Sequence, residues 1–186
     1  DPGPAIEAAR AFCASIHAPL GIVAVGGHAE SAAHRARVLA GFDNVFFMDN
    51  EEHVFDLGDG RRLRVCGLPP SGTEPPQRRE EPGLATVVVS HVPDTSRKLN
   101  GLGVDLHLAG HTHGGQIVIL GFGAPVTLSR LPRTYARGMH VFGDHLINVT
   151  PGIGMEGHHA PRIRLFCPPQ VDFLLLRGSG PPRFGP

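Results

Sequence analysis

The chain has 186 residues, 41% of them hydrophobic, enough for one domain with its own core and unlike a disordered or fibrous polypeptide. Seventeen lysines and arginines balance seventeen aspartates and glutamates, so there is no basic field to hold nucleic acid and no acidic tail. Three cysteines, Cys13, Cys66 and Cys167, are odd in number and far apart; they exclude a disulfide framework and a thiolate zinc site and read as small buried hydrophobes.

In PAIEAARAFCASIH, residues Ile6, Ala9, Cys13 and Ile16 recur at helical spacing behind an early proline, which predicts an amphipathic helix. Pro19 hands over to the β-branched run GIVAV at 21–25. GGHAE follows, and then a second helix over about Ser31 to Ala40, closed by Gly41. Helix, strand, glycine turn, helix is α/β grammar. Strands are expected next in VFFMD, and in HVFDL and RRLRVCG joined across Gly58-Asp59-Gly60. More are expected in ATVVVS, VDLHLA and QIVIL, in HVF and HLINV joined across Gly143-Asp144, in RIRLF and in VDFLLL. Residues 69–83 carry five prolines, suit neither a central strand nor a helix, and read as an exposed loop. No apolar run approaches the roughly 20 residues of a membrane-spanning helix.

Of twelve histidines, four stand where an apolar strand runs out into a loop: His28 after IVAVGG, His91 after ATVVVS, and His111 and His113 after VDLHLAG. Strand ends are where sites are built, and neutral imidazole is the commonest metal-ligating side chain. In an extended segment His111 and His113 would point the same way, and Gly110, Gly114 and Gly115 let the backbone turn tightly around a bulky site. A lone loop histidine is more often a hydrogen-bonded cap. Four together point to a metal. His107, inside a strand pattern, reads as a surface or hydrogen-bonded residue, and His140 and His145, flanking a hairpin, as exposed. His158 and His159, after the turn PGIG, are weaker candidates for the same cavity. A structural zinc held by three histidines is a further reading, though such sites are usually cysteine-rich.

The motif GHTHGGQI at 110–117, preceded by SHVPD at 90–94 and VAVGGHAE at 23–30, resembles the calcineurin-like metallophosphoesterases, in particular the bacterial phosphodiesterases of the YkuE and YaeI type. TPGIG at 150–154, RTYARG at 133–138 and IRLFCPPQV at 163–171 carry the resemblance over nearly the whole chain. It implies a four-layer αββα sandwich lacking its N-terminal strand or strands, with two divalent metal ions (manganese, iron, zinc or magnesium) at the strand ends. By the same resemblance His91 and His111 ligate one metal and His113 the other, while His28 contacts the phosphate or protonates the departing oxygen. The implied substrate is a phosphorylated small molecule or lipid, with peripheral membrane association and a cytoplasmic or membrane-associated place in a bacterial-type cell.

The chain also departs from the family pattern. Gly27 stands where the family has a metal-ligating asparagine, and Ala29 where it has an acidic residue; Glu30 lies one position too far along to substitute without a changed turn. The motifs DxH and GDxxD do not occur. Asp1 falls at about the spacing of the last aspartate of GDxxD, so carboxylates supplied by an upstream segment are expected. With the 186 residues alone, one metal should be held well, through His91 and His111, and activity should be weak. A degenerate relative that binds a phosphorylated ligand or partner without turnover is the alternative.

Overall fold

The computed structural model describes residues 3–28, 31–70, 74–155, 157 and 161–177. Helix α1 spans Gly3–Ser15 and α2 Ala32–Leu39, the latter opened by Ser31, whose hydroxyl accepts the His34 amide. Strands β1 (Ile22–Val25) and β2 (Val45–Met48) form a small parallel sheet. Six further strands make a mixed sheet: β3 (Glu51–Gly58), β4 (Arg61–Leu68), β5 (Leu84–Ser90), β6 (Leu106–Ala109), β7 (Gly138–Phe142) and β8 (His145–Val149). They lie in the order β3-β4-β5-β6-β8-β7, parallel through β4, β5, β6 and β8, with antiparallel hairpins closing both edges. The first hairpin turns at Gly58, Asp59 and Gly60, all with positive φ, which is why that tripeptide reads as a turn.

Alternation along the strands assigns the layers. Phe47 of β2 faces the helices, where the Arg35 guanidinium lies over its ring. Phe46 and Met48 point the other way; Phe46 stacks with His53 on β3, and Met48 sits against Gly67 on β4. A Cβ at Gly67 would meet the Met48 Cβ at 2.1 Å, so glycine lets the two sheets touch. On the far face of the large sheet Cys66, Leu68 and Val88 pack with Leu99 and Val104. Ala109, Ile147 and Val149 pack there with Leu131. The order is therefore helices, small sheet, large sheet, and an outer layer. This is an α/β sandwich of the expected kind, but among the described residues its fourth layer is built from 3-10 turns (Pro93–Lys98 and Arg133–Ala136) and loops rather than α-helices.

Three predicted strands do not form. QIVIL makes only two isolated bridges, Ile117 to Leu165 and Ile119 to Gly123, because Gln116 has φ of 57° and turns the chain before a ladder starts. RIRLF contributes just the Leu165 side of one bridge, and VDFLLL runs unpaired with Phe173 and Leu175 exposed. Apolar runs in these segments carry the period of a strand without a neighbour to pair with. His145 is buried rather than exposed: β8 is interior, and its side chain faces the outer layer. Cys66 and Cys167 are buried as expected, while Cys13 on α1 is half-exposed. Residues 74–83 form an irregular, largely exposed loop, tied down by the Arg64 guanidinium, which donates to the Gln77 carbonyl at 3.0 Å.

Candidate metal centre

Parallel strands all end on one side of a sheet, and loops leaving those ends share a rim. His28 leaves β1, His91 leaves β5 and His111 leaves β6. The three rings meet in a near-equilateral cluster, with centroids 4.9 Å apart for His28–His91 and His91–His111 and 5.1 Å for His28–His111. Each offers one nitrogen within 4.8 Å of the others, which makes them the one such group of ligand side chains among the described residues. His28 is exposed; the other two are half-buried. Burial first, and then the neighbouring imidazoles of His111, His28 and His113, push the His91 pKa down to about 4, so it is a neutral donor at ordinary pH.

Around His111 the backbone fixes which nitrogen faces inward. His111 Nε2 lies 3.1 Å from the Leu128 carbonyl, which can only accept, so Nε2 carries a hydrogen and, in the neutral tautomer, Nδ1 is the bare nitrogen. That bare Nδ1 stands 3.2 Å from His91 Nε2. Two nitrogens bound at about 2.0–2.1 Å to one tetrahedral ion lie roughly 3.3 Å apart, so the spacing fits a shared cation. The Leu128 carbonyl is placed in turn by Asp94 of SHVPD, which accepts from the Ser129 hydroxyl at 2.7 Å and the Arg130 amide at 2.9 Å. A carbonyl that orients a ligating imidazole, itself held by a carboxylate, is the outer-shell support a metal site needs.

The GHTHGGQ turn is tightly wound. His111, His113 and Gln116 all have positive φ (67°, 50° and 57°), a conformation that costs non-glycine residues energy and persists only where surroundings impose it. Those surroundings are visible. The Thr112 hydroxyl donates to the Ala136 carbonyl and accepts the Gly114 amide. Arg164 donates to the carbonyls of His113, Pro151, Gly152, Gly154 and Cys167, and the Cys167 thiol donates to the His113 carbonyl at 3.3 Å. His113 itself stands near enough to His91 to lower its pKa but outside the three-membered cluster. Asp1, Glu30, His158 and His159 lie outside the described residues.

His107 is in a different place. It is wholly buried on β6, its Nε2 2.7 Å from the Ser90 hydroxyl and its Nδ1 2.7 Å from that of Ser96. Of the two sequence readings, hydrogen-bonded is right and surface is wrong. Sequence reasoning assigned no role to Asp94 or Arg164 and read Cys167 only as a small buried hydrophobe; Asp94 was visible as part of SHVPD, but nothing in RIRLFC marks an arginine that caps a distant turn.

The α/β sandwich thus gathers imidazoles from three strand ends into one group that could hold a metal ion. Comparison with known proteins narrows the class. The chain is 26% identical over 174 residues to the uncharacterized metallophosphoesterase YkuE of Bacillus subtilis, covering 88% of this chain and 59% of that one. It is 35% identical over 102 residues to the phosphodiesterase YaeI of Escherichia coli, covering 54% and 36%, and 33% identical over 96 residues to the uncharacterized metallophosphoesterase Cj0846 of Campylobacter jejuni, covering 51% and 24%. The chain thus spans three fifths or less of the length of these relatives. No protein-family model matches it, and no solved structure does. Over most of its length the chain is thus similar to proteins named as metallophosphoesterases, a family that uses divalent metal.

Proposed function

We propose that this protein hydrolyses a phosphodiester, with His91 and His111 holding a divalent ion and His28 acting on the substrate. The observation that carries the reading is the 3.2 Å approach of His91 Nε2 and His111 Nδ1, with the orientation of the His111 ring fixed from outside by the Leu128 carbonyl and Asp94. The bound ion supplies Lewis-acid charge to the phosphate and lowers the pKa of water. The chain's own residues do the rest. His28, the exposed member of the cluster, faces the side from which substrate arrives. Hydrolysis forms a P–O bond to a water oxygen, whose proton passes to solvent, and breaks the bond to the departing group, whose oxygen takes a proton from His28, which regains one from solvent. His113, on the same turn, is the donor toward a second ion. The substrate is a phosphorylated small molecule or a lipid, and a lipid would bring the protein to a membrane surface. The test is hydrolysis of bis(p-nitrophenyl) phosphate with Mn²⁺. Turnover should be lost in His91→Ala and raised in Gly27→Asn, which restores a ligand type that the family carries there.

A second reading has its own support: Gly27 has no side chain to coordinate anything, and the described cluster holds three imidazoles and no carboxylate. On this reading the protein binds a phosphorylated ligand without turning it over. Metal bound at His91 and His111 with no hydrolysis above the His91→Ala background, in either the native chain or Gly27→Asn, would decide for it.

A further inference from the structure

Beside the cluster, and sharing His28 with it, lies a cavity of about 310 Å³ lined by Gly26, Gly27, His28, Arg35, Phe47, Asp49, Pro69 and Pro70. Arg35 gives it a chemical preference. Most other arginines are engaged: Arg61, Arg62, Arg64, Arg78 and Arg79 pair with carboxylates, and Arg10, Arg97 and Arg164 cap carbonyls. Arg35 has no carboxylate within ion-pairing range among the described residues. It is held instead by the face of Phe47, 4.9 Å from the ring centroid, which fixes its aim while leaving its donors unused. Gly26 lies beside the pair, where a Cβ would meet the Phe47 ring at 3.4 Å and an Arg35 nitrogen at 3.5 Å, in ordinary contact. A stacked guanidinium with free donors at the wall of a cavity is suited to bind a planar or tetrahedral oxyanion.

We infer that this cavity receives the departing group of the substrate, that the group is compact, and that it carries one anionic substituent, a carboxylate or a phosphate, bound by Arg35. The inference rests on the phosphodiesterase reading above, because the cavity opens beside the cluster and shares His28 with it. The volume, about 310 Å³, is at the small end of ligand sites and suits a compact group. Asp49 on the same wall repels a second anion and accepts a hydroxyl or ammonium proton, so the departing group has one negative charge and room for a donor.

The test compares two ligands of equal length, 2-carboxyethylphosphonate and propylphosphonate, titrated calorimetrically into the chain carrying one equivalent of Zn²⁺. The quantity read is the ratio of their affinities, in the native chain and in Arg35→Met. Because any difference in zinc chelation enters both ratios, their quotient isolates the arginine. The native preference for the carboxylate should exceed that of Arg35→Met by about tenfold or more, the size of one charge-assisted hydrogen bond. Equal ratios in the two proteins overturn the inference while leaving the phosphoester reading intact. Failure of both phosphonates to bind the zinc-loaded native chain overturns that reading and the inference with it. Should Arg35→Met not fold, Phe47→Leu keeps the charge but removes its platform, and is read on the same scale: a ratio equal to the native one counts against the inference.

Discussion

Acid should unfold this protein through His107, and the hydrogen bonds say why. Ser90 has one hydroxyl proton and donates it to the Val92 carbonyl at 3.0 Å, so toward His107 it accepts, and His107 Nε2 carries the hydrogen. His107 Nδ1 is then the acceptor for Ser96. The neutral ring is fully satisfied; a protonated one would be a buried cation with no carboxylate among the described residues paired with it. Burial first, and then the charge of nearby His145, lower the His107 pKa from 6.5 to about 3. The sign follows directly. Between those two values the unfolded chain binds a proton that the folded chain refuses, so stability is full above pH 6.5 and falls as pH drops toward 3. One such group changes stability by about 1.4 kcal/mol per pH unit, and over the whole window by about 5 kcal/mol, a large share of the 5–15 kcal/mol typical of a domain. The assay is urea unfolding at half-unit steps from pH 4 to 7.5, in the native chain and in His107→Gln, which keeps a donor and an acceptor but does not titrate. His145, also lowered by burial, contributes to both curves and cancels in the difference. The variant should be less stable at neutral pH and should lose about one proton's worth of slope below pH 6.5. Parallel curves would refute the assignment of a refused proton to His107.

Four further outcomes are expected. His91→Ala or His111→Ala should weaken Zn²⁺ binding by well over tenfold, and Asp94→Ala by about tenfold, because it releases the carbonyl that orients His111; equilibrium dialysis reads all three. Arg164→Met should cost about 2 kcal/mol in urea unfolding and speed amide exchange at Gly114 to Gln116, since the His113 turn loses its guanidinium cap. Gly67→Ala should destabilise by roughly 2–3 kcal/mol by forcing the two sheets apart at Met48. Iodoacetamide should label Cys13 well before Cys66, whose thiol burial pushes up to about 11, and equal labelling rates would contradict that placement.

Much of the fold was written in local pattern. The glycine-aspartate hairpins need positive φ and formed where expected, and ATVVVS and VDLHLA, apolar on both faces, became the interior parallel strands that such runs describe. QIVIL, RIRLF and VDFLLL have the same local character and did not become strands, because pairing depends on a neighbour that composition does not report. His145 failed for a related reason. A hairpin signal says that two strands turn back on each other; it says nothing of whether the second is interior, and β8 lies between β6 and β7.

The site was legible to the extent that its chemistry sits at strand ends. His28, His91 and His111 come from the ends of three strands spread over more than eighty residues of sequence, and strand-to-loop boundaries alone were enough to nominate them, because parallel strands deliver their C-terminal ends to one rim. What the pattern left out is orientation. Whether His111 presents Nδ1 or Nε2 inward depends on a carbonyl at Leu128 and, behind it, on Asp94, contacts that span 17 and 36 residues. The resemblance carries ligand identity across relatives but not this support, which is why His28 stands as close to His91 and His111 as they stand to each other, although the family pattern casts it as a substrate contact. An exposed third imidazole beside a half-buried pair can complete a coordination shell or meet a phosphate, and it cannot do both at once. Occupancy of the pair by a cation therefore decides the freedom of His28, so zinc affinity should fall much less in His28→Ala than in His91→Ala if His28 is kept for the substrate, and equally if it is a ligand.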